Sequence, residues 1–203
     1  MGRVSLAGAL RVAAIPVLVA YPFALRALLE HTGPRLAAAV VLVGLALSFG
    51  IRRAVGHEPL RPLAAQHALA GGAAVFALAG GKELALLLLP ALVSLGLFAV
   101  FGATLWHGPP LIERVARRVS GAGFLEEMVL HCRQATIAWC VFFLANAAAV
   151  AGLAVAAPLA WWTFYTGVLA YTLMAALFAG EYAVRTMRKR RLASPRGAAV
   201  TSR

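Results

Sequence analysis

The chain has 203 residues, of which 62% are hydrophobic and only 13% are charged, and its formal net charge at pH 7 is +12. This hydrophobic content is outside the range of soluble globular domains, so the composition indicates a protein whose core faces lipid. Because the sequence contains no aspartate, aspartyl dyads and Asp-rich metal–diphosphate sites are excluded.

Six apolar stretches follow one another along the chain, and each is interpreted as a transmembrane helix. They lie at residues 12–29, 36–51, 63–80, 84–106, 134–157 and 159–180. The second stretch is the shortest, so the alternative is four spans, with the second and third stretches omitted together. The sequence therefore predicts an all-α, polytopic membrane helix bundle over residues 1–192, followed by a disordered basic tail at 193–203.

The basic residues occupy alternate gaps between these stretches, and this pattern predicts the orientation of the chain. The larger set comprises Arg3, Arg11, Arg52, Arg53, Arg61, Arg114, Arg117, Arg118, Arg133, Arg185, Arg188, Lys189, Arg190, Arg191, Arg196 and Arg203. The other gaps, which alternate with these, contain only Arg26, Arg35 and Lys82. By the positive-inside rule, both termini are predicted to lie in the cytoplasm.

The predicted cytoplasmic loop at residues 107–133 begins with an amphipathic pattern. Two prolines, Pro109 and Pro110, suit the start of a helix. The apolar residues of the predicted helix are Leu111, Ile112, Val115 and Val119, and its basic residues are Arg114, Arg117 and Arg118. Two interpretations are open: an interfacial helix that contacts anionic lipid or an acidic protein, and an ordinary basic loop. Nucleic acid is not an expected partner, because no soluble module is present to read it.

The fifth and sixth stretches are joined at residues 156–158 and should form an antiparallel helical hairpin. In such a hairpin, residues at equal depth in the membrane face each other. This predicts that Asn146 contacts Tyr171 and that Arg133 approaches Glu181. Arg185, four residues after Glu181, is the alternative partner of this carboxylate. For Asn146 and Tyr171 a packing hydrogen bond is favoured over a ligand site, and for Glu181 a structural clamp is favoured. Buried polar residues in membranes commonly bond to neighbouring helices.

These patterns define two groups of candidate site residues. The candidate contacts with a partner or lipid headgroup are Glu113, Arg114, Arg117, Arg118, Arg133, Glu181 and Arg185. The candidate intramembrane polar contacts are Thr136, Asn146, Tyr165 and Tyr171. The histidines lack the spacing of metal ligands, and Cys132 and Cys140 are too far apart on one helix for a disulfide. We therefore expect no metal, no cofactor, no catalytic residue and two free thiols.

Residues 101–185 also carry a specific pattern. It consists of Phe101-Gly102, Pro110-Leu111-Ile112-Glu113-Arg114, Ala116-Arg117, Cys132-Arg133, Thr136, Trp139, Phe142-Phe143, Asn146, Trp162, Tyr165, Gly167, Tyr171, Glu181 and Arg185. This part of the chain resembles a family of small bacterial inner-membrane proteins encoded beside aryl polyene and xanthomonadin-type pigment genes. Two positions depart from the family pattern, with His131 in place of Tyr and Gln134 in place of a second basic residue.

The resemblance implies a location in the bacterial inner membrane and a role as an accessory of fatty-acid-like polyene assembly. The expected function is to dock acyl intermediates, or the acidic acyl carrier proteins and enzymes that carry them, at the membrane. A small lipid or polyene transporter is the first alternative, and a membrane-embedded acyl-modifying enzyme is the second.

Overall fold

The structure is a computed structural model, and it describes residues 20–55, 68, 71–72, 74–80 and 83–192. Within these residues the chain is helical apart from short turns, and they contain no β-strand. The prediction of an all-α protein is confirmed.

The helices are numbered in chain order. They are α1 (residues 20–32), α2 (Pro34–Val55), α3 (residues 74–80), α4 (Leu84–Leu87), α5 (Leu89–Trp106), α6 (Leu111–Ser120), α7 (Val129–Ala156), α8 (Leu159–Phe164) and α9 (Ala170–Leu192). A π-helical turn, Tyr165–Leu169, connects α8 to α9, and 3-10 turns lie at Gly121–Gly123 and Glu126–Met128.

In the part of the chain that the structure describes, three helical segments are long and apolar enough to cross a membrane. They are Leu84–Trp106, Glu126–Ala156 and Leu159–Arg188, and the apolar part of α2, Pro34–Gly50, is shorter. The predicted fourth stretch matches the first of these segments. The helices extend beyond the fifth and sixth predicted stretches, since α7 begins at Val129 and α9 continues to Leu192. Hydropathy marks the part of a helix that suits lipid, whereas charged turns continue the same helix beyond it.

Much of the first and third predicted stretches, together with the tail at 193–203, lies outside the described residues. The described chain divides into two compact units. Unit 1 is formed from Met1–Gly96 and Asn146–Ala170, and unit 2 from Leu97–Ala145 and Tyr171–Arg203.

The core of unit 1 combines small residues with a few large ones. Its buried large side chains include Leu25, Leu86, Val150 and Trp162. Its buried alanines include Ala37, Ala38, Ala74, Ala77, Ala91 and Ala147. Small side chains allow helices to approach closely, which is the main source of packing energy between helices in lipid.

The helix is interrupted at Leu88, between α4 and α5 and two residues before Pro90, and we call this interruption the Pro90 break. A proline has no N–H for the carbonyl four residues earlier, here that of Leu86, and it disturbs the neighbouring carbonyl as well. The Tyr21 hydroxyl donates a hydrogen bond to the Leu86 carbonyl at 3.4 Å. The indole Nε1 of Trp162 donates to the Leu87 carbonyl at 3.1 Å. Neighbouring side chains thus satisfy the carbonyls at this break, as required in an apolar environment.

Unit 2 contains an aromatic cluster made of Phe101, Trp139, Phe142, Phe143 and Phe178. Trp139 and Phe143 are buried, whereas Phe178 is exposed. The Trp139 and Phe178 rings meet edge to face with their centroids 5.9 Å apart, a favourable arrangement for aromatic pairs. The two cysteines, Cys132 and Cys140, are buried free thiols, which confirms the prediction made for them.

Candidate functional site

Helix α6 is present where the two prolines predict a helix start. Pro110 precedes its first residue, and the N–H of Leu111 donates to the Thr104 hydroxyl of α5 at 3.0 Å. This bond satisfies one of the free N–H groups at the helix start. The helix ends at Gly121, whose φ of +52° suits glycine. The loop at residues 107–133 is therefore largely helical rather than irregular.

Arg117 is the centre of an ion-pair network that joins α6 to the 3-10 turn Glu126–Met128. Its Nε donates to Glu113 Oε1 at 2.8 Å, and its two terminal nitrogens donate to the Glu126 carboxylate at 2.7 Å each. Its guanidinium also lies 4.3 Å from the ring centroid of Phe124, within the range of a cation–π contact. The hydrogen bonds to Glu126 and then Glu113 raise the pKa of Arg117 above its ordinary value. We call these three charged residues the Arg117 bracket.

The side chains of α6 form three faces of the helix. The inner face is Glu113, Ala116 and Arg117; the apolar face is Ile112, Val115 and Val119; and the basic face is Arg114 and Arg118. Glu113 and Ala116 are only 5% and 2% exposed, whereas Val115 and Val119 are 56% and 79% exposed. A helix that turns 100° per residue places these three groups on separate arcs. The expected amphipathic pattern is confirmed, and the buried residues of the helix are Glu113 and Ala116 on its inner face.

The arginines of α6 that were predicted as partner contacts differ in their bonds and in their exposure. The Arg114 guanidinium donates to the Pro109 carbonyl at 2.7 Å and to the His107 carbonyl at 2.9 Å, and its side chain remains exposed. Arg118 is exposed and has no ion pair in the described part of the chain. Arg117 forms the ion pairs of the bracket, and its side chain is 40% exposed. The grouping of these three arginines as one partner surface stays a prediction.

Asn146 lies in a side-chain network of unit 1. The Tyr165 hydroxyl donates to Asn146 Oδ1 at 3.0 Å, and Asn146 Nδ2 donates to Ser94 Oγ at 2.9 Å. Ser94 in turn donates to the Pro90 carbonyl at 2.9 Å. The hydroxyl that donates to Asn146 Oδ1 is that of Tyr165, another of the predicted polar residues, and the contact predicted between Asn146 and Tyr171 stays a prediction. The other predicted polar residue, Thr136, is buried and donates to the Cys132 carbonyl of its own helix.

We expect Asn146→Leu to destabilise the protein modestly, because it removes both bonds of this network. Interhelical hydrogen bonds in membranes contribute about 0.6 kcal/mol each, so the loss in the free energy of unfolding should be roughly 1 kcal/mol. Equilibrium unfolding in detergent measures this loss. Ser94→Ala is the matched control, since it removes only the Ser94 side of the network. A fully stable Asn146→Leu variant would contradict the packing role.

Glu181 has a different partner from the two that were predicted. Its Oε1 lies 3.5 Å from Nε2 of His131, and the described part of the chain gives it no ion pair with Arg133 or Arg185. Arg133 is exposed and donates to the Leu105 carbonyl at 3.4 Å. Arg185 is half-buried. The equal-depth argument located the right level of the hairpin but not the side chains that face each other.

Three residues that matter in the structure were missed or misread from the sequence. Trp162 was named only as part of a family pattern, yet it is fully buried, whereas its neighbour Trp161 is 63% exposed. Ser94 was not singled out, although a serine inside a long apolar helix is a signal of hydrogen bonding between helices. His131 was noted only as a departure from a family pattern.

Among residues 20–55, 68, 71–72, 74–80 and 83–192, no group of three or more potential ligands could hold a metal ion. The candidate sites are, in unit 2, the basic face of α6 and the His131–Glu181 pair and, separately in unit 1, the polar network of Asn146. Searches against protein-family models, curated proteins and solved structures found no match to this chain.

Proposed function

We propose that this chain is a multi-pass protein of the bacterial inner membrane that docks acidic, acyl-carrying proteins at the cytoplasmic surface. In this proposal the chain has six spans with both termini in the cytoplasm, and it acts as an accessory of aryl-polyene or similar fatty-acid-like biosynthesis. The pathway context rests on the sequence resemblance of residues 101–185.

The membrane location is supported by the three long apolar helical segments and by the distribution of basic residues. Segments of 23, 31 and 30 residues exceed the length needed to cross a hydrocarbon core of about 30 Å. The alternating basic gaps then favour one orientation over the other. In that orientation α6 lies on the cytoplasmic side.

The observation that carries the docking proposal is the basic face of α6. Arg114 and Arg118 are exposed on a helix whose rotation is fixed by the Arg117 bracket, so their positions are defined before a partner arrives. A preorganised surface loses less conformational entropy on binding than a mobile loop. Acyl carrier proteins are typically acidic, and complementary charge increases the rate of encounter and the specificity of such complexes.

The apolar face of α6 is consistent with the same arrangement. Val115 and Val119 are exposed in the isolated chain, and a lipid surface beside the spans would cover them. The basic face would then remain available from the cytoplasm. A transport role would need the Asn146 level as a polar contact, but this amide is already bonded to Ser94 and Tyr165.

We expect the double variant Arg114→Glu/Arg118→Glu to lose binding of an acidic acyl carrier protein by at least about tenfold, which corresponds to roughly 1.4 kcal/mol. Binding is measured by co-flotation of purified acyl carrier protein with proteoliposomes that contain the full chain. Wild-type binding should weaken as salt is raised, because exposed charges are screened.

The matched control is Arg26→Glu/Arg35→Glu, which changes the net charge equally on the opposite predicted side. Its binding should equal that of the wild type. Arg117 is unsuitable for this test, since its replacement would break the bracket. Equal losses in the two double variants, or no binding by the wild-type protein, would disprove the docking proposal.

A further inference from the structure

One side of α7 is exposed along most of its length in unit 2, and it changes from polar to apolar along the helix. Its exposed residues include Leu130, Arg133, Gln134, Ile137, Val141 and Leu144. At 100° per residue these positions fall within an arc of about 100°, so they share one face. We call it the exposed face of α7. In a helix that crosses a membrane, the apolar part of this face contacts lipid chains, and Arg133 and Gln134 lie at the headgroup end.

Arg188 of α9 reaches the polar end of this face. Its guanidinium donates to Gln134 Oε1 at 3.2 Å, the one hydrogen bond that it makes within the described residues. Arg133, the neighbour of Gln134 on α7, also makes one, to the Leu105 carbonyl at 3.4 Å. Because a guanidinium carries several N–H donors, both arginines keep donors for a further partner.

No carboxylate neutralises these two arginines in the part of the chain that the structure describes. Helix α7 contains no acidic residue, and Glu181, the one carboxylate of α9, contacts His131 instead. The half-buried Arg185 and the exposed Arg190 add positive charge to the same end of α9. Cations without a counter-ion are costly beside lipid, so an anion from outside the chain would stabilise this region.

We propose that Arg133 and Arg188 bind the headgroup phosphate of an anionic phospholipid. The acyl chains of this lipid lie along Ile137, Val141 and Leu144. The planar guanidinium fork suits the two free oxygens of a phosphodiester, which can accept parallel N–H bonds. Basic groups between spanning helices are a known type of site for anionic lipid headgroups.

The apolar residues of the exposed face favour a lipid over a free phosphate ion. A free ion could meet both arginines, but it would leave the adjoining apolar side chains without a partner. A phospholipid supplies the charge and the chains together. This site rests on the membrane location proposed above, but it does not depend on docking at α6.

The test compares how well the full chain retains two lipids with identical acyl chains. The detergent-solubilised protein is mixed with equimolar phosphatidylglycerol and phosphatidylcholine, and native mass spectrometry counts the molecules of each that stay bound. We expect the wild type to prefer phosphatidylglycerol. Arg133→Gln/Arg188→Gln should reduce that preference by at least about fivefold, because each basic residue near an anionic headgroup contributes severalfold. The two single variants should each show part of this loss, and they serve if the double variant does not fold.

Arg114→Gln/Arg118→Gln is the matched control, since it removes the same charge from α6. Its lipid preference should equal that of the wild type. Equal losses in the two double variants, or a wild type without a preference, would overturn the proposal. Failure of the acyl carrier protein to bind would leave this comparison unchanged, so the two proposals can fail separately.

Glycerol 3-phosphate distinguishes the lipid from a free anion. Added at the concentration of phosphatidylglycerol, it should leave the retained lipid in place, because it has no chains to contact the apolar part of the exposed face. Displacement of the lipid by this small anion would show that the arginines bind phosphate alone, and it would overturn the lipid site.

Discussion

Trp162→Phe is expected to lower the free energy of unfolding by about 1–3 kcal/mol, the cost of leaving a buried polar group without its partner. The indole of Trp162 is fully buried, and its N–H bonds the Leu87 carbonyl next to the break at Pro90. Phenylalanine retains most of the apolar volume but has no donor. In an apolar environment no water can replace it.

Trp162→Ala should cost more, about 3–5 kcal/mol, because it adds a large cavity to the lost hydrogen bond. Equilibrium unfolding in detergent, followed by the remaining tryptophan fluorescence, measures both variants. Trp161→Phe is the matched control, since Trp161 is exposed, and its effect should stay within about 0.5 kcal/mol. Similar losses for Trp161→Phe and Trp162→Phe would contradict the bonding role of the buried indole.

Gly167→Val is expected to destabilise unit 1 by about 1–3 kcal/mol, through overpacking against Phe23. A Cβ atom at position 167 would lie 2.5 Å and 2.7 Å from two carbons of the Phe23 ring. Such distances force the ring of α1 or the π-helical turn to move. Gly167→Ala should show the same effect in weaker form, measured by the same unfolding assay.

The test of this contact is rescue by a second substitution. Phe23→Ala combined with Gly167→Val should recover part of the loss, and the double-mutant cycle then gives the coupling between the two positions. Gly152→Ala and Gly180→Ala are controls, because a Cβ at either position has no neighbouring atom within 4 Å. These helical glycines should tolerate alanine or gain about 0.5–1 kcal/mol. Absence of coupling in the cycle would show that the two side chains do not clash.

The helical class and the start of α6 could be predicted from the sequence because they depend on local signals. Apolar runs of sufficient length indicate membrane helices, and Pro110 followed by an amphipathic repeat indicates a helix start. The break at Pro90 was predictable for the same reason. The donors at that break were not, since Tyr21 and Trp162 are 65 and 75 residues away from the carbonyls that they bond.

The candidate site was predicted less completely, because hydropathy does not show which side of an apolar helix faces protein. Trp161 and Trp162 are adjacent and identical in type, yet one is exposed and the other is fully buried. The hydrogen bond between Tyr165 and Asn146 was not predicted as a pair, because the depth argument assumes regular helices. Tyr165 begins the π-helical turn Tyr165–Leu169, where that regularity is interrupted.

The side-chain bonds that fix α6 differ from those of unit 1 in how far along the chain they reach. The bonds made by Thr104, Arg114 and Arg117 join residues four to nine positions apart. Those that link Asn146 to Ser94 and Trp162 to Leu87 span 52 and 75 positions. Short-range contacts form with little loop-closure entropy, so α6 and its bracket can assemble during synthesis as soon as Glu126 has emerged. The Leu87 carbonyl at the Pro90 break, by contrast, gains its hydrogen-bond donor only after Trp162 has been synthesised.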